Sequence, residues 1–261
     1  MQLLKFEFIK ILKQKPIYIA YVLLCGVTFY NVDIAHGPMS TIAAINPEIT
    51  GIMLLLGLST IFTREYSSSV DKYIFSSKKG RKEIVWAKVG ATLLYTLCVI
   101  LIFASVNLVV NVWEFGSKGW GDPLQSFQPF SNSPYNVSLL EFHLLQLGIH
   151  FLGAFCFALL IVLISSISKN SMISFIISFF IFVVPVLEFV DNFDIPWLLA
   201  SLPFVFYNVM EAKLYFVDLK SVSLFGEAVS HPVFASMLMT ILGLALFFCI
   251  RQVVKMKEAS R

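Results

Sequence analysis

Residues 89–112 read VGATLLYTLCVILIFASVNLVVNV, and this stretch decides the fold class. It contains no Asp, Glu, Lys or Arg. At about 1.5 Å of rise per residue, a helix of this length crosses the roughly 30 Å hydrocarbon layer of a bilayer. The whole chain agrees, because 58% of its 261 residues are hydrophobic and only 13% are charged, whereas soluble domains average about 25% charged residues. We therefore predict an integral membrane protein and exclude an ordinary soluble enzyme.

Five further apolar segments are long enough to be considered as membrane spans. With the first, the six predicted spans are 17–35, 47–63, 89–112, 143–164, 171–190 and 232–250. The span at 47–63 is the weakest, because Pro47 and Glu48 lie at its mouth. We predict an all-α membrane protein in which residues 1–261 form a single transmembrane domain. Residues 191–231 contain an apolar stretch broken by prolines and too short to span, which predicts a re-entrant or interfacial segment on the outer face.

The positions of the basic residues predict the orientation of these spans. If six spans alternate, one side holds the segments 1–16, 64–88, 165–170 and 251–261, which carry 4, 7, 1 and 4 of the 19 Lys and Arg residues. Lys and Arg accumulate on the cytoplasmic side of a membrane. We therefore expect a multi-pass protein with both termini in the cytoplasm.

The first sixteen residues have the pattern of an amphipathic helix. Apolar residues share one face, and they are Leu4, Phe8, Ile11 and Leu12. Polar residues share the other face, and they are Glu7, Lys10, Lys13 and Gln14. This pattern predicts a helix on the inner membrane surface with its lysines toward anionic headgroups. A simple extension of the first span is the alternative.

The segment between the second and third spans is the most basic part of the chain. Residues 62–88 read FTREYSSSVDKYIFSSKKGRKEIVWAK. A stripe of apolar side chains recurs at helical spacing, formed by Tyr66, Val70, Tyr73 and Ile74. We predict a short cytoplasmic helix that Gly80 ends, with Lys88 snorkelling at the base of the third span. The basic patch either keeps the loop on the cytoplasmic side, where it contacts lipid phosphates, or docks a cytoplasmic partner. Phosphate binding of the nucleotide-loop kind is disfavoured, because these residues lack GxxxxGK[ST].

This loop, the leading amphipathic helix and the six spans resemble the permease subunits of type-2 ATP-binding-cassette exporters. The residues that carry the resemblance are Phe62, Glu65, Ile74, Phe75, Ser76, Ser77, Gly80, Arg81 and Lys88. Ser69 stands where that family commonly has Gly.

The resemblance implies a division of labour between subunits. The chain would be a non-enzymatic transporter subunit in a bacterial plasma membrane, without cofactor or metal of its own and without nucleic-acid binding. A separate cassette ATPase would bind ATP and Mg²⁺, and a second permease subunit, identical or homologous, would complete the exporter. The coupling residues in contact with the ATPase would be Glu65, Tyr66, Val70, Tyr73, Ile74, Lys78, Lys79, Gly80 and Arg81.

The resemblance leaves the substrate open, with an antimicrobial or toxin-like amphiphilic peptide as the favoured cargo. Two alternatives for the whole chain stay open as well: an ion-driven secondary transporter, and a non-transporting peptide-immunity or sensor protein.

Polar residues inside the fourth span predict either a substrate path or a set of interhelical hydrogen bonds. His143, Gln146 and His150 follow helical spacing on one face. Glu188, at the outer end of the fifth span, completes the possible path. Polar side chains within a membrane face a bundle interior or water, and they also bond neighbouring helices together.

Overall fold

A computed structural model describes residues 2–34, 46–67, 80–116, 119–127, 130–183, 205–218, 220–224 and 227–259. The helices of the first half are α1 (Gln2–Leu12), α2 (Lys15–Ile34), α3 (Pro47–Leu58), α4 (Thr63–Ser67) and α5 (Gly80–Phe115). Those of the second half are α6 (Leu139–Ile167), α7 (Ser171–Val183), α8 (Phe206–Met210), α9 (Leu214–Val217) and α10 (His231–Ala259). A 3₁₀ turn covers Leu124–Ser126, and two strands, β1 (Ser221–Leu224) and β2 (Glu227–Ser230), complete the described elements.

Three of the described helices are long and apolar enough to cross a membrane. They cover Glu83–Trp113 in α5, Leu139–Ile167 in α6 and His231–Lys257 in α10. The predicted spans at 89–112, 143–164 and 232–250 lie within them, which indicates a mostly helical membrane protein. The other three spans stay predictions, because the apolar helices at Lys15–Val27 and Ser171–Val183 are shorter and α3 has 12 residues.

The predicted span 47–63 covers α3 and a turn at 59–62, and α4 begins at its last residue, Thr63. The all-α expectation also misses a β-hairpin, in which Ser221 pairs with Ser230 and Leu224 with Glu227. The hairpin lies in the predicted outer segment 191–231, and the described part of this segment also contains α8 and α9. Residues 191–204 lie outside the described part of the chain.

Helix α6 forms the centre of the helical packing and contacts α3, α5, α7, α8 and α10. Two glycines of α3 allow rings from other helices to approach its backbone. A Cβ on Gly51 would lie 2.2 Å from the ring of Phe182, and one on Gly57 would lie 2.4 Å from the ring of Tyr95. The Tyr95 hydroxyl, in turn, donates to the carbonyl of Met53 at 2.8 Å.

A second apolar cluster packs around the N-terminal end of α6. Ser138 and Glu141 form a capping box, in which each side chain bonds the backbone N–H of the other residue, and this arrangement starts α6 four residues before the predicted span. The ring of Phe142 packs 4.9 Å from Phe130 and 5.1 Å from Phe216, measured between centroids. These contacts fasten the segment after α5 and the segment around α9 to the same helix end.

Helix α1 packs lengthwise against α5 rather than presenting all its polar residues to lipid headgroups. Glu7 is 4% exposed and Ile11 is 2% exposed, and the Leu4 side chain lies against Gly90 of α5. Glu7, which the helical pattern placed on the polar face of α1, is therefore buried in the protein. Its burial follows from a cation on α5, Lys88, that needs an acidic partner.

Candidate functional site

Lys88 is completely buried inside the protein. Its ammonium group donates to Glu7 Oε2 at 3.0 Å, to Glu65 Oε1 at 2.9 Å and to the carbonyl of Ile61 at 2.7 Å. An ammonium group has three protons, so these contacts satisfy all of them. The prediction that Lys88 snorkels toward headgroups is wrong, because α5 begins at Gly80 and places Lys88 more than two turns inside the helix.

The backbone turn before Glu65 provides a carbonyl oxygen that accepts a hydrogen bond from Lys88. The amide of Glu65 donates to the carbonyl of Phe62, three residues back, and the Ile61 carbonyl therefore remains available to Lys88. The ring of Phe62 also lies under the ammonium group, with its centroid 4.8 Å from Nζ, which adds a cation–π contact. The turn at 59–62 thus supplies both a carbonyl and an aromatic face.

A second lysine closes the arrangement. Lys10 Nζ lies 2.9 Å from Glu7 Oε1 and 2.9 Å from Glu65 Oε1. Glu7, Lys10, Glu65 and Lys88 therefore form one set of ion pairs with a formal charge of zero, which we call the ion-pair network. It joins α1, α4 and α5.

Glu7 and Lys10 keep their charged forms because of their partners in the network. Burial alone would raise the pKa of Glu7, but the charge of Lys88 and the hydrogen bonds from Lys10 and Lys88 outweigh it and lower that pKa. Burial alone would lower the pKa of Lys10, but the hydrogen bonds to Glu7 and Glu65 outweigh it and raise that pKa. Removing one partner from a buried pair typically costs about 3–5 kcal/mol, because the remaining charge stays desolvated.

The end of α4 is attached to the cytoplasmic ends of two other helices under the predicted orientation. The Tyr66 hydroxyl donates to the carbonyl of Ser166 at 3.1 Å. Lys257 Nζ donates to the carbonyls of Ser166 and Ile167 at 2.6 and 3.1 Å and lies 4.1 Å from the Tyr66 ring centroid. Lys257 of α10 therefore caps carbonyls of the last turn of α6, which have no partner within their own helix.

The predicted coupling residues divide into three groups. Glu65 and Tyr66 both make the inward contacts described above. Gly80 and Arg81 are the first residues of α5, and the predicted helix before Gly80 falls in residues 68–79, outside the described part of the chain. The remaining predicted coupling residues lie outside the described part of the chain, and they are Val70, Tyr73, Ile74, Lys78 and Lys79.

The polar residues of the fourth predicted span are buried in the protein. His143, Gln146 and His150 are 6%, 1% and 0% exposed. His150 Nδ1 lies 2.8 Å from the carbonyl of Met210, and Nε2 lies 2.9 Å from Thr50 Oγ1. A carbonyl only accepts, so Nδ1 carries the proton. The Thr50 hydroxyl lies between His150 Nε2 and the carbonyl of Asn46, from which it is 3.3 Å away.

These contacts bind α3, α6 and α8 together, and for His150 they fit the predicted alternative of interhelical hydrogen bonding. The possible path residue Glu188 lies outside the described part of the chain.

Glu48 has a structural partner that the sequence did not indicate. It accepts a hydrogen bond from the hydroxyl of Tyr207 on α8. Burial, followed by the bond to Glu48, raises the pKa of Tyr207. Glu48, which made 47–63 the weakest predicted span, therefore connects α3 to α8.

Within the described ranges, no group of three or more His, Cys, Asp or Glu side chains could hold a metal ion. No protein-family model and no curated protein matches the chain.

The sequence did hold partial signals for the ion-pair network. Glu7 and Lys10 are spaced i, i+3, which places them together on a helix, and Lys88 adjoins an apolar run. Neither signal indicated that the two elements contact each other.

Proposed function

We propose that this chain is the membrane-spanning permease subunit of an ATP-driven exporter of the type-2 ATP-binding-cassette class. It moves an amphiphilic substrate, with an antimicrobial or toxin-like peptide as the favoured cargo, out of the cytoplasm or the inner leaflet. A separate cytoplasmic ATPase holds ATP and Mg²⁺, and a second permease subunit, identical or homologous, completes the pathway. The protein lies in a bacterial plasma membrane with six spans and both termini in the cytoplasm.

The observation that carries this proposal is the ion-pair network at the two roots of the basic loop. Glu65 precedes residues 68–79 and Lys88 follows them, and their charged groups lie 2.9 Å apart. Work delivered to a loop reaches the membrane only if the loop is fixed firmly to membrane helices. Here both roots are fixed to one another and to α1 by buried charges.

Burial gives this attachment its strength. Charges interact more strongly where water is excluded, and the side chains of Lys88, Glu7 and Glu65 are 0%, 5% and 10% exposed. Separating these three groups would therefore leave poorly solvated charges apart. When the loop is displaced, α1 and α5 therefore move with it, because the ion pairs at Glu65 and Lys88 do not readily separate. Closure of a partner ATPase would then bias the membrane helices between inward-facing and outward-facing states, because the partner binds the two states with different affinity.

The sequence supports a separate energy source. GxxxxGK[ST], the phosphate loop that such ATPases need, does not occur in these 261 residues. The loop carries the residues of the family resemblance, including Glu65, Gly80, Arg81 and Lys88.

The proposal is tested by purifying the tagged full chain from its native membranes and measuring ATP hydrolysis in the eluate. The charge-reversed variant Arg81→Glu, Lys82→Glu is compared with a control that reverses two exposed cations elsewhere, Lys169→Glu, Arg251→Glu. We expect a nucleotide-hydrolysing subunit with the wild type and the control, and at least a tenfold loss of it with the loop variant. Peptide transport by the purified chain alone in proteoliposomes would contradict the proposal.

A further inference from the structure

Helix α4 is attached to other helices on two sides, and the ion-pair network accounts for only one of them. Glu65 joins α4 to α5 through Lys88 and to α1 through Lys10. The next residue, Tyr66, joins α4 to α6, because its hydroxyl donates to the carbonyl of Ser166. Neighbouring residues of one short helix therefore bind two different groups of helices.

A single carbonyl oxygen connects α4, α6 and α10. The Ser166 carbonyl accepts from the Tyr66 hydroxyl at 3.1 Å and from Lys257 Nζ at 2.6 Å. Lys257 Nζ also lies 4.1 Å from the centroid of the Tyr66 ring, which is a cation–π distance. We call Tyr66, Ser166 and Lys257 the carbonyl junction. A shift of α4 therefore changes the immediate surroundings of a charge on α10.

Helix α10 approaches α6 closely near the middle of α6 as well as at this end. Cys156 Sγ on α6 donates to the carbonyl of Met239 on α10 at 2.8 Å. A Cβ on Gly243 would lie 3.3 Å from the same sulfur atom. The two helices are thus packed together at two levels, so a movement of one at the carbonyl junction is shared by the other.

We propose that the carbonyl junction is a second route by which the basic loop moves the membrane helices, with Tyr66 and Lys257 as positioning residues. The inference rests on the proposed function and extends it. The ion-pair network connects the loop to α1 and α5, whereas the carbonyl junction connects it to α6 and α10. A displacement of α4 then moves both groups of helices.

The carbonyl junction can be removed at a smaller cost to folding than the ion-pair network. Tyr66 and Lys257 are both half-buried, so water replaces much of the hydrogen bonding that either group loses. The network, in contrast, would retain a desolvated charge. A loss of coupling at the junction is therefore measurable in a folded protein.

The experiment measures ATP hydrolysis and peptide export in proteoliposomes that contain the full chain and its co-purified ATPase. Tyr66→Phe removes the hydroxyl and Lys257→Met removes the cation. Lys255→Met, at an exposed position of the same helix, is the matched control. We expect each junction variant to hydrolyse ATP within about twofold of wild type and to lose about fivefold in export per ATP. Lys257→Arg should restore most of the export, because a guanidinium also donates to carbonyls, and the control should export as the wild type does.

A double variant separates coupling from general destabilisation. Because both donors act on the Ser166 carbonyl, Tyr66→Phe combined with Lys257→Met should lose less export per ATP than the product of the two single losses. Losses that multiply would overturn the inference, and so would unchanged export per ATP in Tyr66→Phe. If Lys257→Met lowers the melting temperature, Tyr66→Phe decides, because it removes only one oxygen atom. A wild-type preparation without a nucleotide-hydrolysing subunit would instead contradict the proposed function, and this inference with it.

Discussion

Lys88 Nζ lies 2.9 Å from Oε1 of Glu65, and the two residues are 23 positions apart in the chain. The contact closes a loop whose two roots lie on different helices, α4 and α5. Glu7 joins both roots to α1 through Lys88 and Lys10. The N-terminal helix is therefore joined to the residues on both sides of segment 68–79.

The ion-pair network predicts a large loss of stability when its central cation is removed. Lys88→Met removes the buried cation that pairs with the carboxylates of both Glu7 and Glu65, and we expect a loss of about 3–5 kcal/mol. Thermal unfolding of the purified protein in detergent measures it. Lys169→Met, at an exposed position, is the control, and an equal melting temperature for the two variants would contradict the network. Lys88→Met combined with Glu7→Gln and Glu65→Gln should recover much of the loss.

The pKa values of Glu7 and Lys10 predict a plateau in stability against pH. The pKa of Glu7 is lowered from 4.5, so its contribution is present above pH 4.5 and is lost as the pH falls through the folded-state value. The pKa of Lys10 is raised from 10.5, so its contribution is present below pH 10.5 and is lost as the pH rises above that value. Melting temperatures across pH 3–11 measure both limbs. Glu7→Gln should flatten the acid limb, and identical acid limbs in variant and wild type would refute the assignment.

The hydrogen bonds of His150 predict a structural role with a coupled partner. His150→Phe leaves the Thr50 hydroxyl and the Met210 carbonyl buried without their ring partner, which costs about 1–3 kcal/mol. Because Thr50→Val removes one of the same bonds, the double variant should lose less stability than the sum of the single variants. A double-mutant cycle by thermal unfolding tests this coupling. Normal stability of His150→Phe with loss of peptide transport would instead assign the residue to the substrate path.

The close approach of Tyr95 to α3 predicts that Gly57 tolerates no side chain. In Gly57→Ala the new Cβ meets the Tyr95 ring at 2.4 Å, and overpacking of this kind costs about 1–3 kcal/mol. Gly148→Ala on α6 is the control, because no atom lies within 4 Å of its Cβ position, and alanine is the better helix former. The Gly57 variant should melt lower than wild type and the Gly148 variant should not. The reverse order would contradict the described packing.

The sequence predicted the long helices well because each depends on local composition. Residues 89–112, 143–164 and 232–250 all lie within apolar helices, and the structure extends α5 back to Gly80 and α6 back to Leu139. The first turn of α6 depends on its capping box. The span was predicted from its run of apolar residues, which does not include this local signal. The hairpin escaped prediction because its strands have only four residues each, too few for the polar–apolar alternation of Ser221–Leu224 to be a clear strand signal.

The candidate site was only half predictable for a different reason. Glu65 was singled out through the loop, but its partners come from positions 10 and 88, and Lys88 reaches Glu7 across 81 positions. Periodicity within a segment carries no information about which helix packs against it. A charged residue next to an apolar run is consistent with snorkelling and with burial in a network, and only the packing of α1 on α5 separates the two.

The most direct test of the account compares ATP hydrolysis with peptide export in proteoliposomes that contain the chain and its co-purified ATPase. Glu65→Gln, Lys88→Gln replaces the central ion pair with neutral amides, and Lys169→Gln, Arg251→Gln is the control. We expect the network variant to keep the ATPase bound and hydrolysing ATP. Export per ATP should fall about tenfold, which corresponds to a loss of about 1.4 kcal/mol in coupling free energy. Unchanged export per ATP in a variant with a broken network, or export without ATP, would contradict it.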